Sequence, residues 1–571
     1  MSLSNRIYHD HAIRDDSDSD ATSSCSSSSS TLTTDTTDRE ETSPLLSNNF
    51  KSVHPYTNNK THHHHRSNKA DNFYNSIDGS TSSSSSSHSV RQELKWLTTH
   101  SLPIIGTYLL QNSFQLASIF TLGHLGSMEL GASALASMFV NVSAWSVAYG
   151  TTTALDTLCS QCWTASKDKT IIGVYLQRAY LVLSLLFIPI AFIWWSATPI
   201  MLKFNQDPDL AELAGLFLRY LLPGAPAYIA FEATKRYLQA QGIMQASTYC
   251  MLITAPVNFI LNYSFVYPCQ LGFIGAPLAT SLSYWIMFGL LLLYTKYVAG
   301  YEGWGGWSRQ CLKDWWPFVK LASSGIVIIC AEWSAFEIAS LAASYLGTID
   351  LAAQSILITI SSATYTVPLG ISVAATNRVG NVLGSGDSIK ARRATRSALL
   401  FAVAFGCLNS TFVLLFRTQL GKLFSSDQEV IDRVALVLPL FAVFQIADGL
   451  ASVGGGVIRG MGRQSVAAWI NLIAYYLVAL PIGFLLTFHV GWNLLGLWTG
   501  LSIALFLVAT GELWYLSRVN WVGETERAQR HYALSSKRPD QSHFLHHESH
   551  EEGRRKRRHT SLDYQSIVVD L

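Results

Sequence analysis

Between residues 97 and 516 the chain alternates long apolar stretches with short polar ones. Twelve of the apolar stretches run to about 20 residues, the length a bilayer core requires of a helix. They fall at 102–120, 135–155, 174–195, 213–231, 247–267 and 276–294, then at 318–340, 351–372, 397–416, 434–456, 467–488 and 494–515. The pattern predicts an all-α membrane protein with twelve transmembrane helices. Outside this region it breaks down. Runs such as SSCSSSSS and SSSSSSHS fill the N-terminal segment, and the C-terminal segment ends near GRRKRRHTSLD at 553–563. Such compositions bury too little apolar surface to offset chain entropy, so both are expected to be disordered polar tails.

The twelve stretches divide into two sets of six. GSMELGASALA (126–136) aligns with GTIDLAAQSIL (347–357) at an offset of 221, and the same offset sets GFIGAPLATSLS (272–283) against NLLGLWTGLSIA (493–504). One offset holding across separated segments implies an internal repeat. Six spans per half is an even number, so both halves enter the membrane in the same direction, as two pseudo-symmetric six-helix lobes. The expected organisation is a Ser/Thr/His-rich tail at 1–95, a first lobe at 96–298 and a linker at 299–317. A second lobe at 318–517 and a basic tail at 518–571 complete it.

Charge sets an orientation. The loops after even-numbered spans carry Lys167, Lys169, Lys235, Arg236, Arg309, Lys313, Arg378, Lys390, Arg392, Arg393, Arg396, Arg459 and Arg463. The odd loops hold only Lys203, Arg417, Lys422 and Arg433. The positive-inside rule then predicts that the even loops and both termini are cytosolic. No cleaved leader is expected at the N-terminus.

Composition agrees with this class. The chain is 49% hydrophobic and 14% charged, against about 25% charged in ordinary soluble proteins. The eight cysteines do not read as a disulfide framework, and Cys159 and Cys162 form a single CxxC with no partner pair nearby. No metal site is expected from it. No nucleophile–base pair sits in a plausible pocket, so an enzyme is not predicted.

Three acids interrupt the apolar pattern: Glu332 and Glu337 in the seventh stretch and Asp448 in the tenth. An ionised acid at a helix centre costs roughly 2.5–3.5 kcal/mol on insertion scales, so intramembrane acids point to function. Buried carboxyls resist ionisation, and neighbouring ones resist it further. Such a group can load a proton on an acidic side, release it on a neutral side, and attract a cation meanwhile. Glu332 and Glu337 are five residues apart, about 140° around a helix, so both cannot face one narrow cavity. Glu332 and Asp448 are expected to face each other, with Glu337 toward the cleft between lobes or in a structural pair. Their structural alternative is satisfaction by Ser, Tyr or backbone groups that fix helix packing.

Several stretches resemble the eukaryotic MATE (multidrug and toxic compound extrusion) transporters, and the likeness suggests a fungal type. They are ALDTLCSQCWTA (154–165), AEWSAFEIASLAASYLGTIDLAAQSI (331–356), VPLGISVAATNRVGNVLGSGD (367–387) and VIRGMGRQ (457–464). The resemblance implies the MATE fold, and an antiporter that exports organic cations, drugs or metabolites in exchange for protons by alternating access. It places the acidic cluster on Glu332, Glu337 and Asp448. It adds Tyr365 as a cavity aromatic and Asn141 and Gln111 in the first lobe; Trp333 is also at cavity depth. Two positions depart from the family: Thr359 stands where human-type members carry an acid, and CWTA follows Gln161 in place of a Tyr-Gly pair. The coupling ion is expected to be the proton rather than sodium, with no further cofactor.

Two other functions remain open from sequence: a flippase for lipid-linked oligosaccharides, which would need a basic cavity, and a membrane sensor without flux. Expected partners are small organic cations or metabolites and membrane lipids, with no nucleic acid, and the chain is expected to be a monomer. ETSPLL at 41–46 is similar to acidic dileucine signals, with Glu41 four residues before Leu45 and Leu46. If a clathrin adaptor reads it, the destination is the vacuolar membrane; the plasma membrane is the alternative.

Overall fold

The computed structural model describes residues 82–204 and 206–535, all helical apart from turns and loops. Span 1 is Ser82–Gly123, span 2 Ser127–Ala165 and span 3 Ile171–Trp195. Span 4 is a bent pair, Pro208–Leu221 with Ala225–Ala240; span 5 is Ala246–Val266 and span 6 Gly272–Tyr297. The second half repeats the series as Trp315–Ser344, Thr348–Ser385, Ser388–Leu415, Gln428–Gly460, Gln464–His489 and Leu494–Ser517, spans 7 to 12. Short helices Ala197–Lys203 and Arg417–Phe424 follow spans 3 and 9. They sit at equivalent places in the two halves, as an internal repeat requires. Asp207 and Asp427 then cap spans 4 and 10 with their carboxylates, accepting from Asp209 N and Glu429 N.

Among the described residues ten helices are apolar and long enough to cross a membrane alone, and the span 4 pair makes an eleventh. Span 1 takes the twelfth place without matching their hydropathy. Its lipid side is a stripe of Leu102, Leu109 and Leu116, all exposed. Its other side carries Gln111, Asn112, Gln115 and Ser118, which line a cavity. Polar residues facing a cavity escape the transfer penalty that averaged hydropathy charges to them.

Span 4 breaks by 57° at Leu222–Pro223–Gly224, with Pro223 in the break and Pro226 just after it. Proline removes a helical hydrogen bond, and the freed carbonyls need other donors in a bilayer. Span 6 supplies them: Ser281 Oγ donates to Tyr220 O at 3.0 Å and Leu221 O at 3.2 Å, and Trp285 Nε1 to Pro223 O at 3.0 Å. The repeat glycines Gly275 and Gly496 mark close crossings. A Cβ there would lie 2.7 Å from the Phe265 carbonyl carbon or from Thr487 N, respectively.

One apolar cluster gathers spans 1 to 6 and another spans 7 to 12. A third joins span 1 to spans 7 to 12 near the face that bears the even loops. There the halves interlock. Thr157 and Gln161 of span 2 donate to Arg459 O and Gly460 O of span 10, and Thr164 donates to Asn381 O of span 8. Gln464 Nε2 reaches back to Thr153 O at 3.0 Å. The family stretches 154–165, 367–387 and 457–464 therefore meet in one seal. In the departing CWTA segment, Trp163 lies under Lys169 with its carbonyl accepting from Nζ.

Gly150 is a close backbone approach in this seal, since a Cβ would stand 2.5 Å from Ile326 Cα. Gly150→Ala is expected to push spans 2 and 7 apart and favour opening toward the even loops. Cys330, whose Sγ lies 3.3 Å from Ser146 Oγ at the same contact, reports it. In a Cys25→Ser, Cys269→Ser, Cys407→Ser background, Cys330 should react several-fold faster with a maleimide applied from the even-loop side. Unchanged labelling would contradict this account of the seal.

Two expectations about the tails need correction. Helix starts at Ser82, inside the segment assigned to a disordered tail ending at 95. Glu93 holds it down by a two-pronged ion pair with Arg378 at 2.6 and 3.0 Å, while Trp96 stacks on the same guanidinium. A helix Trp521–Ser535 lies inside the C-terminal segment. Ala528 and Thr525 bury its inner side, and Glu524 pairs with Arg463 at 2.6 Å. The dileucine residues Glu41, Leu45 and Leu46, the histidine run 61–66 and the basic run 553–563 lie outside the described residues.

Candidate functional site

The second lobe brings Glu332 of span 7 and Asp448 of span 10 close enough for their charges to interact. Tyr365 of span 8 lies within electrostatic reach of both. Asp448 is 4% exposed and its Oδ2 has no hydrogen-bond partner, whereas Glu332 is half-buried. Tyr475 faces the same two acids, and its hydroxyl is also buried without a partner. It sits in a π-helical turn, Ile473–Ala479, a distortion that turns a side chain away from its ordinary helical direction. Asp448 Oδ2 and Tyr475 Oη are thus two unpartnered polar atoms in the electrostatic neighbourhood of the Glu332 carboxylate.

Glu337 does not join this group. Its carboxylate has Asn141 of span 2, in the first lobe, as its polar neighbour. Asn141 opens another π-helical turn, Asn141–Trp145. That turn faces a cavity of about 210 Å³ in the first lobe, lined by Gln111, Asn141, Trp145, Tyr228, Tyr284 and, from the second lobe, Trp333. Trp145, Tyr228 and Tyr284 pack ring against ring with centroids 4.2, 5.0 and 6.1 Å apart. Such aromatic walls suit a cation by cation–π attraction. Thr359, at the departing position, is exposed and spends its hydroxyl on Ser355 O. A larger groove of about 880 Å³ runs between spans 3, 4 and 6 and the linker. Its Trp285 and Trp307 are exposed, and it holds none of the acids, so it belongs to the outer surface rather than to this site.

Beneath the first-lobe cavity lies a charge cluster that hydropathy misplaces. Lys235 and Arg236 count as loop cations by charge alone, yet both are 1% exposed within span 4. Lys235 Nζ pairs with Glu232 Oε1 at 2.6 Å and Arg236 Nη1 with Asp156 Oδ2 at 3.2 Å. Gln111 Nε2 donates to the same Glu232 oxygen at 2.8 Å. Their rings of contact are Tyr108, 4.5 Å from Lys235, and Tyr149, 4.7 Å from Arg236. Arg459 is likewise part of span 10, half-buried, with Nη2 donating to Ser372 Oγ at 2.9 Å. The positive-inside count therefore includes three cations that helix ends fold into the protein. Sequence reading also passed over Glu512 of span 12, 1% exposed and within reach of Arg459 and Glu332. The run Gly454–Gly456 was its signal: a Cβ at Gly454 would stand 2.7 Å from Glu512 Oε2.

Two six-helix lobes meeting at a cleft, with buried carboxylates in the second and an aromatic cavity in the first, define a multi-pass membrane transporter. The chain belongs to the MatE family, whose model matches residues 103–264 and again 326–485, once in each lobe. An uncharacterized transporter of Schizosaccharomyces pombe is 39% identical over 443 residues, covering 77% of this chain and 82% of that one. Multidrug and toxin extrusion protein 1 of Homo sapiens is 37% identical over 445 residues, 78% of each chain. The crystal structure of the eukaryotic MATE transporter AtDTX14 matches with a TM-score of 0.75 at 29% identity, over 78% of this chain and all of that one.

Proposed function

We propose that this transporter is a proton-coupled antiporter that moves organic cations, drugs or metabolites out of the cytosol by alternating access. The observation that carries the reading is the meeting of Glu332 and Asp448 around unpartnered polar atoms in the second lobe. A carboxylate there accepts either a proton or a cation, and their competition for one negative site is exchange. The even-loop face, sealed by spans 2, 8 and 10, is taken as cytosolic from its loop charge. Substrate then leaves through the opposite face and protons enter from it.

Energetics permit this. Each pH unit contributes about 1.4 kcal/mol per proton, so two units sustain about a hundredfold cation gradient in electroneutral exchange. Multidrug and toxin extrusion relatives lend the substrate class. The flippase reading loses support because Lys235 and Arg236 are spent on Glu232 and Asp156, leaving no basic cavity there for a pyrophosphate. A vacuolar membrane, with its acidic lumen, suits the coupling; use of Glu41, Leu45 and Leu46 by an adaptor is the corresponding sorting proposal. The full chain, reconstituted in vesicles with an imposed pH gradient, should accumulate a fluorescent organic cation against its gradient. Flux that ignores the pH gradient would overturn the proton coupling.

A further inference from the structure

The second lobe holds more charge than the exchange needs. Glu332, Asp448 and Glu512 are three acids, and Arg459 is a guanidinium among them. Glu512 projects from span 12 onto the glycine run of span 10. A Cβ at Gly455 would sit 3.0 Å from Glu512 Oε1 and 3.5 Å from Arg459 Nη1, so acid and cation flank one small space. The third glycine has a different use, since a Cβ at Gly456 would meet Ser372 Oγ at 2.4 Å. Glu512 Oε2 is buried without a hydrogen-bond partner. The titratable groups around it are Arg459 from span 10, Glu332 from span 7 and Tyr475 from span 11. Arg459 in turn faces Glu332 and, from the first lobe, Asp156.

We propose that Glu512 is a positioning residue for exchange: it is the fixed counter-ion of Arg459 and keeps that guanidinium from occupying Glu332. The inference rests on Glu332 and Asp448 being the exchange site. Arg459 interacts electrostatically with both Glu512 and Glu332 and is in a close ion pair with neither, so the two acids compete for it. While Glu512 holds its charge, Glu332 is free to take a proton or a substrate cation. Without Glu512, Glu332 is the remaining second-lobe carboxylate that interacts with Arg459, and the protein's own arginine becomes a tethered competitor. The arrangement also joins the site to the seal, because the Arg459 carbonyl accepts the Thr157 hydroxyl from the opposite lobe.

The test is equilibrium binding of tetraethylammonium to the purified full chain at one pH with no gradient, supported by flux in vesicles. Glu512→Gln should weaken binding about tenfold, the effect of one uncompensated positive charge worth about 1.4 kcal/mol. For a bis-quaternary dication the loss should approach the square of that. Glu512→Asp, which keeps the charge, should stay within about threefold of the unaltered protein. The double variant Glu512→Gln, Arg459→Gln removes both charges and should regain most of the affinity. Wild-type affinity in Glu512→Gln would overturn the inference. So would a double variant as weak as the single one, or equal losses for singly and doubly charged probes, since those mark a packing role. If the unaltered protein binds no organic cation at all, the exchange site itself is wrong and the inference falls with it.

Discussion

Glu332→Gln should abolish accumulation of an organic cation driven by a pH gradient, with flux at least a hundredfold below that of the unaltered protein. The amide keeps the size and hydrogen-bonding reach of the acid but cannot bind and release a proton. Asp448 would remain, alone and 4% exposed, with Oδ2 still unpartnered. It is buried where Glu332 is half-buried, so it is the less accessible of the two to a substrate. Glu332→Asp retains the chemistry at a shorter reach and should lose much less. Glu337→Gln provides the contrast. Its polar neighbour is Asn141 rather than another acid, and an amide can keep that contact. Its loss should therefore be no more than a few-fold. If Glu337→Gln abolished exchange while Glu332→Gln did not, the roles of the two acids would have to be interchanged.

Asp156→Ala is expected to have the largest effect on stability. It strands Arg236, 1% exposed, in the middle of the first lobe. The remaining company is the Tyr149 ring at 4.7 Å, Tyr108 Oη at 3.4 Å and Glu232, whose charge is already paired with Lys235. Breaking a buried pair by removing one partner typically costs about 3–5 kcal/mol, because an uncompensated charge is left behind. Replacing both partners with apolar groups of similar volume, as in Asp156→Leu with Arg236→Met, should recover most of that loss. Thermal unfolding of the detergent-purified protein measures both. A single variant as stable as the unaltered protein would show that water reaches the pair. A double variant as unstable as the single would show that Arg236 acts through packing instead.

The order of spans was legible because apolar length is a strong signal, and the shared offset located both lobes. Glu332 and Asp448 were legible because an acid in an apolar run has little to hide behind. Their separation from Glu337 followed from helix geometry alone. The charges that went astray, Lys235, Arg236 and Arg459, lie at helix ends where hydropathy falls. An averaged hydropathy treats a cation at a helix end as solvated. It does not see that Asp156 or Glu232, on the same helix or another, can satisfy the charge inside the protein. Glu512 lies five residues before the end of span 12 and suffered the same fate. The π-helical turns that aim Asn141 and Tyr475 had no local signature, since their cause is tertiary packing. Span 1 shows the converse: its polar side lowered its hydropathy because that side was never meant for lipid.

The central claim is that proton and organic cation compete for one buried carboxylate site. It is tested most directly by adding tetraethylammonium to the purified full chain in weakly buffered solution and recording proton release together with affinity. Competition predicts that protons leave as the cation binds, and that affinity falls by up to tenfold for each unit of acidification below the site's titration range. Binding of equal strength across that range, with no proton released, would contradict it.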